Sequence, residues 1–288
     1  MKGTDPSRAL LFKQRLGPVP EVNIMNKVKK IGIIGAGTMG NGIAQVFASS
    51  GFEVTLHDID EQSCAKGLKT IEKSLAKFVE KGKLDNAARD QILSRIATST
   101  NLDDLVNADF IIEAATENKK LKQEIFTQLD RIAKQDAILA TNTSSIPIGF
   151  LAAATSRPEK VIGMHFMNPV PLMKGVEVIR AEHTSDETNT ATLNLVETLK
   201  KSFVRSQDKA GFVANRILMP MIREAILTLE EGVSEKEDID RCMTDCCNFP
   251  MGPLMLADLI GLDTCASILH VMAEGLEDER YRPPATLT

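Results

Sequence analysis

Gly35, Gly37 and Gly40 stand in G-x-G-x-x-G spacing directly after the apolar run Ile31-Gly32-Ile33-Ile34. Glycines so placed serve phosphate chemistry. The first permits a tight turn, the second lets a pyrophosphate approach bare backbone, and the third lets the next helix sit close to the sheet. Thr38 and Met39 lie within this turn, and the helix-like segment Asn41–Ser49 that follows would turn its unpaired N–H groups and positive dipole end to the pyrophosphate. A ligand-free turn fits the same letters, but here a second apolar strand, Glu53–His57, follows the helix and ends at Asp58. A carboxylate at that point accepts hydrogen bonds from adenosine ribose hydroxyls and repels a 2′-phosphate, which favours NAD over NADP. The acidic run His57-Asp58-Ile59-Asp60-Glu61 strengthens that preference.

A nicotinamide that takes hydride from a secondary alcohol needs a base within reach of the hydroxyl. The chain has four histidines. His57 belongs to the adenosine end, His183 lies in a polar loop, and His270 follows the apolar register of its helix. His165 follows the strand Val161–Met164 and opens the loop Phe166–Pro171, at the edge where open sheets bind ligands. Glu177 lies in the next strand, just past the proline-bearing turn. A folded-back loop would bring its carboxylate to the imidazole, fix the tautomer and stabilise the imidazolium. A surface glutamate on an edge strand fits the same spacing.

These groups need a scaffold, and the apolar periodicities supply one. Helical spacing runs over 61–81, with Lys66, Lys69, Lys73, Lys77 and Lys81 on the same stretch, and a short helix covers 86–94. Ile96–Thr98, Phe110–Glu113 and Ala137–Thr141 read as strands, the last two separated by a helix over 121–133 with its stripe at Leu121, Ile125, Leu129 and Ile132. Val161–Met164, Val176–Ile179 and Phe203-Val204 extend the sheet, with a helix over 186–199. The rhythm predicts an α/β fold, a Rossmann-type, mostly parallel, doubly wound sheet. After Asp208 the alternation disappears and all segments read as helix, with a stripe at Ile217, Met221, Ala225 and Leu229. The expected organisation is an extension over 1–27, an NAD-binding domain over 28–207 and an all-helical domain over 208–288. The proline-containing stretch before Val28 has no strand pattern, and both an import peptide and a non-native remnant fit it.

The bulk composition excludes other classes. Net charge is −5 with 25% charged residues, and no basic arm suggests nucleic acid. No apolar run approaches the length of a membrane span. Five cysteines, an odd number, suit a reducing compartment. Cys242, Cys246 and Cys247 lack a further histidine or cysteine to complete a metal set, so they read as packing on a helix face.

Five ordered motifs carry a resemblance: 33–42; Glu113-Ala114-Ala115-Thr116-Glu117-Asn118; Asn142-Thr143-Ser144-Ser145; Gly163-Met164-His165-Phe166-Met167-Asn168-Pro169-Val170-Pro171; and Gly211-Phe212-Val213-Ala214-Asn215-Arg216. Together they resemble the 3-hydroxyacyl-CoA dehydrogenase family over almost the whole chain after Lys27. The resemblance implies reversible oxidation of (3S)-3-hydroxybutyryl-CoA or another short-chain 3-hydroxyacyl-CoA, with NAD as cofactor and no metal. It implies His165 as acid/base, Glu177 as its orienting carboxylate, and Ser144 and Asn215 beside the substrate's 3-oxygen. Asp58, Glu117 and Asn142 match cofactor-side positions. Ser74 and Lys81 match positions that touch coenzyme A, and Asn168 a supporting position after the histidine. The family further implies a homodimer through the helical domain and a cytoplasmic enzyme, or a mitochondrial one if residues 1–27 direct import. Relatives with the same pair oxidise free hydroxy or sugar acids, and others are non-enzymatic lens proteins; the lysines along 66–81 favour a phosphate-bearing thioester. Two departures stand out. Lys209-Ala210-Gly211-Phe212 lacks the family's proline at the junction, which implies a looser hinge, and relatives usually continue beyond the Tyr281-Arg282-Pro283 segment, which implies a shortened helical domain.

Overall fold

The computed structural model describes residues 28–287; the reading of 1–27 as an extension lies outside them. The eight strands are β1 (Lys30–Ile34), β2 (Glu53–His57), β3 (Ile96–Ser99), β4 (Phe110–Glu113), β5 (Ile138–Thr141), β6 (Val161–Phe166), β7 (Gly175–Arg180) and β8 (Ser202–Gln207). They form one sheet in the order β3-β2-β1-β4-β5-β6-β7-β8. All neighbouring pairs are parallel except β6 with β7. Connection type explains the exception. A helix can carry the chain back for a parallel return, whereas the short loop from Phe166 to Gly175 can only reverse it.

Helices cover both faces. They are α1 (Thr38–Ser49), α2 (Glu61–Glu80), α3 (Asn86–Leu93), α4 (Lys119–Ile132), α5 (Ile148–Ala152) and α6 (Asp186–Thr198). Alternate residues of β4 feed separate cores, Phe110 and Ile112 one and Ile111 the other. That is the period-two pattern of a strand buried on both faces. α1 is buried from Gly40 to Ala48. α2 starts on an Asp60 side chain that accepts the Ser63 N–H, and it buries Cys64, Gly67, Ile71 and Leu75 while its lysines stay off that stripe.

The α4 stripe differs from the sequence reading. Leu121 is 38% exposed, and the buried residues are Lys122, Phe126 and Leu129. The helix is rotated about one position because Lys122 finds a carboxylate inside the fold and Phe126 fills more core volume than Ile125.

Past β8 the chain builds α7 (Ala214–Glu230), α8 (Lys236–Arg241), a π-helical turn (Cys242–Cys246), α9 (Pro253–Ile260) and α10 (Leu262–Leu276). This bundle has its own core of Met219, Ile222, Ile226, Leu254, Leu269 and Met272. Two expectations need correction. Ile217 and Leu229 face outward and Met219, Ile222 and Ile226 inward, again a shift of register. Cys242, Cys246 and Cys247 are exposed rather than packed, because the π turn carries this segment away from the bundle core. Among the described residues no single helix is long and apolar enough to cross a membrane.

Candidate active site

His165 is not in a loop after its strand but within β6, and in the antiparallel ladder it stands directly opposite Glu177 of β7. Paired residues of adjacent strands share a face, so the reversal at this one strand pair aims the carboxylate at the imidazole. Glu177 Oε2 lies 2.8 Å from His165 Nδ1. Glu177 is 2% exposed and lies on an interior strand, not on an edge. Its Oε1 accepts the backbone N–H groups of Val213 and Ala214, at 2.9 and 2.8 Å, where α7 begins. One carboxylate therefore orients the histidine and caps the first helix of the bundle. Burial pushes its pKa up, but the hydrogen bond from His165, the Ala214 amide, the histidine's charge and the Val213 amide outweigh that and hold it below the ordinary value. Phe212, with φ +46°, packs obliquely on the His165 ring at 6.2 Å between centroids.

The other ring nitrogen, Nε2, is 3.2 Å from Ser144 Oγ. Ser144 sits on the loop after β5, and Glu117 fixes that loop. Glu117 Oε1 accepts from the Thr143 hydroxyl, from the Ser144 and Ser145 amides and from the Ser145 hydroxyl. Burial raises the Glu117 pKa, yet the Lys122 ammonium and these donors prevail and keep it low. Asn215, in the first turn of α7, donates to the Ser144 carbonyl at 3.3 Å. Asn142 braces the floor, its Oδ1 accepting the Phe166 N–H at 2.8 Å. Strands β5 and β6, the Glu117 loop and α7 thus meet at one spot.

The glycine turn lies nearby at the carboxyl ends of β1 and β4. Gly35 has φ +96°, and a Cβ at Gly40 would sit 1.7 Å from the Gly35 carbonyl oxygen. A Cβ at Gly37 would meet nothing within 4 Å, so bare backbone faces open space. No side chain caps α1, which leaves the first-turn donors around Thr38, Met39 and Gly40 pointing there. Asp58 does more than a ribose contact requires: its oxygens accept the Ala36 N–H at 2.7 Å and the Ile59 N–H at 2.8 Å. Each carboxylate oxygen keeps a second lone pair for a hydroxyl. A cavity of about 280 Å³ adjoins the turn, lined by Gly37, Thr38, Asp58, Ser63 and Lys66 among others. Its bare amides, acidic rim and proximity to the glycine turn fit a dinucleotide. Behind it His57 is buried with Nδ1 unpartnered; desolvation pushes its pKa down against the pull of Asp58.

Ser74, Lys81 and Asn168 stand apart. Ser74 is half-buried on α2, Lys81 is exposed just past its end, and Asn168 is exposed on the β6–β7 loop. The structure draws no hydrogen bond between them and the His165 group. Among the described residues no cluster of histidine, cysteine and acidic side chains is placed to hold a metal ion. Sequence reasoning missed Glu113, Lys122 and Thr143, all buried. The available signal was a glutamate ending an apolar strand, with a lysine four residues ahead of Phe126 on the same helix face.

Residues 30–209 match the family model described as 3-hydroxyacyl-CoA dehydrogenase, NAD binding domain. Residues 211–288 match the one described as 3-hydroxyacyl-CoA dehydrogenase, C-terminal domain. The chain is 53% identical over 258 residues to a probable 3-hydroxybutyryl-CoA dehydrogenase of Deinococcus radiodurans, covering 90% of this chain and 92% of the relative. Among solved structures, (S)-3-hydroxybutyryl-CoA dehydrogenase PaaH1 of Ralstonia eutropha superimposes with TM-score 0.88 at 47% identity, over 91% of this chain and 92% of that one. FadB2 of M. tuberculosis gives 0.89 at 41% identity, over 90% and 92%.

Proposed function

Because the chain belongs to the 3-hydroxyacyl-CoA dehydrogenase family, we propose that it catalyses the reversible NAD-dependent oxidation of 3-hydroxybutyryl-CoA, or another short-chain (3S)-3-hydroxyacyl-CoA, to the 3-ketoacyl-CoA. It is an oxidoreductase of CoA thioesters, in the chemistry of fatty-acid and butanoate metabolism. The observation that carries the reading is an imidazole anchored at Nδ1 by Glu177 and offering Nε2 beside the Ser144 hydroxyl.

NAD, when bound, supplies the hydride acceptor for C3. The chain's own residues handle the proton and the oxygen. Glu177 holds the proton on Nδ1, leaving Nε2 of neutral His165 to accept the hydroxyl proton. The resulting imidazolium pairs with the carboxylate. In reduction His165 returns that proton as the acid. Ser144 and Asn215 hold the 3-oxygen as its charge changes, small polar groups on two different elements. Asp58 accepts the ribose hydroxyls, and the turn from Gly35 to Gly40 takes the pyrophosphate. Glu117 and Asn142 shape the nicotinamide side by fixing the loops on which they act. Ser74 and Lys81 bind the CoA moiety and Asn168 supports the substrate beside the histidine, their side chains making no hydrogen bond or ion pair with other described residues.

We read residues 208–288 as a substrate and dimerisation domain. Exposed Ile217, Met255, Leu259 and Leu262 support that reading. We place the enzyme in the cytoplasm, or in the mitochondrial matrix if residues 1–27 direct import. Steady-state assays with acetoacetyl-CoA and NADH, and with 3-hydroxybutyryl-CoA and NAD, test the activity. Turnover in both directions is expected; a folded protein inert in both rejects it.

A further inference from the structure

Behind the Ser144–His165 contact lies a buried ion pair that the proton-transfer scheme does not use. Lys122 is 1% exposed and Glu113 is fully buried. The lysine Nζ lies 2.6 Å from Glu113 Oε1, 3.0 Å from the Ala115 carbonyl and 3.5 Å from Glu117 Oε2. Glu113 is itself held fast. Its Oε1 also accepts the Ala115 N–H at 2.7 Å, and its Oε2 accepts the Thr141 hydroxyl at 2.7 Å. The ammonium thus makes two hydrogen bonds and one longer ion pair inside the protein.

Glu117, its side chain 41% exposed at the edge of this pair, faces two demands at once. Its Oε2 faces the ammonium, and its Oε1 holds four donors of the 143–145 loop. The balance depends on Lys122 being pulled mainly to Glu113, the shorter of its two ion pairs. Stability gives no reason for such a pair, since buried ion pairs are commonly matched by apolar residues of equal volume. What it supplies is location. We propose that Glu113 is a positioning residue for the reaction: by holding Lys122 back it leaves Glu117 free to fix the loop, and so sets the Ser144 hydroxyl against His165 Nε2. The inference rests on the roles given above to Ser144 and His165.

With the charge at 113 gone, Glu117 becomes the only carboxylate left to Lys122. The ammonium draws it in, its Oε1 leaves the loop, and Ser144 drifts from the imidazole. Misplacement on that scale costs about 10–100-fold in rate. In Glu113→Gln we expect kcat with acetoacetyl-CoA and NADH to fall by that factor, with the KM for acetoacetyl-CoA changed by less than about two-fold. The same substitution in a Ser144→Ala background should cost almost nothing further, because its route runs through Ser144. Equal losses in both backgrounds would show a merely structural role and overturn the proposal.

Removing one partner of a buried pair can also unfold a protein. Glu113→Gln combined with Lys122→Met leaves no unpaired buried charge and no ammonium to draw Glu117 off the loop, so it should recover the thermal midpoint. We expect kcat to recover with it in this double variant; a kcat that stays low at a restored midpoint would equally overturn the proposal. His165→Gln in the otherwise unaltered enzyme separates the two readings. If it keeps full kcat, the proton-transfer scheme fails and the positioning role falls with it. If it loses kcat while Glu113→Gln does not, only the positioning role fails.

Discussion

At the scale of single residues the chemistry rests on which atoms are already committed. His165 has one nitrogen on Glu177 and the other beside Ser144. His165→Gln should therefore lower kcat by about 10²–10⁴-fold, the usual scale for losing general acid–base catalysis, and leave NADH binding measurable by fluorescence titration. Unchanged kcat would remove His165 from proton transfer. Asp58 is the second residue worth changing, because Lys66 lines the same cavity. Asp58→Ser should raise kcat/KM with NADPH relative to NADH, since it removes the charge that repels a 2′-phosphate and keeps a cation close by. An unaltered ratio would place cofactor choice elsewhere. Much of this was legible in the sequence: a glycine spacing, an aspartate after a strand, and a histidine near a sheet edge each carry a chemical type at a readable position. Lys122 and Glu113 were not. A charged residue inside an apolar pattern reads as solvated until its partner is known, and that partner lies on a different element.

Element by element, what the sequence reveals is period and what it hides is register. Strands β1, β2 and β4 follow from apolar runs, and the rotations of α4 and α7 by about a residue follow from contacts no window contains. The His165–Glu177 alignment is of the hidden kind, set by where the β6–β7 loop lets the ladder begin. The turn into α1 makes a sharper test. A side chain at Gly40 would run into the Gly35 carbonyl, its Cβ against a backbone oxygen with no rotamer to relieve it. Gly40→Ala should cost about 1–3 kcal/mol in urea unfolding and weaken NADH binding, because the strand-to-helix turn must open. Gly37→Ala has open space, so it should leave stability nearly unchanged and weaken NADH binding alone. Equal stability losses in the two variants would refute this division of labour.

For the whole molecule, acid and self-association are the relevant variables. Buried His57 sits below its ordinary 6.5. The unfolded chain therefore gains that proton first, and stability begins a shallow decline as pH falls past that value. Glu117 and Glu177 sit below 4.5. Their contribution is complete above that pH and is lost as pH falls through their lower folded values, which steepens the decline. Urea midpoints across this range should fall in two stages; a midpoint that rises on acidification would contradict the assignments. The bundle's exposed apolar side chains lead us to expect a dimer by light scattering over a dilution series at micromolar protein. A monodisperse monomer there would mean that those side chains face solvent for some other reason.

The carboxylate of Glu177 reaches α7 only through main-chain N–H groups. Peptide groups are the same whatever residue carries them, so the seam between sheet and bundle is written in atoms that substitution leaves alone. A substitution at position 213 or 214 that keeps its N–H therefore leaves both bonds to the carboxylate in place. A proline at either position would delete a donor, and with it part of the grip.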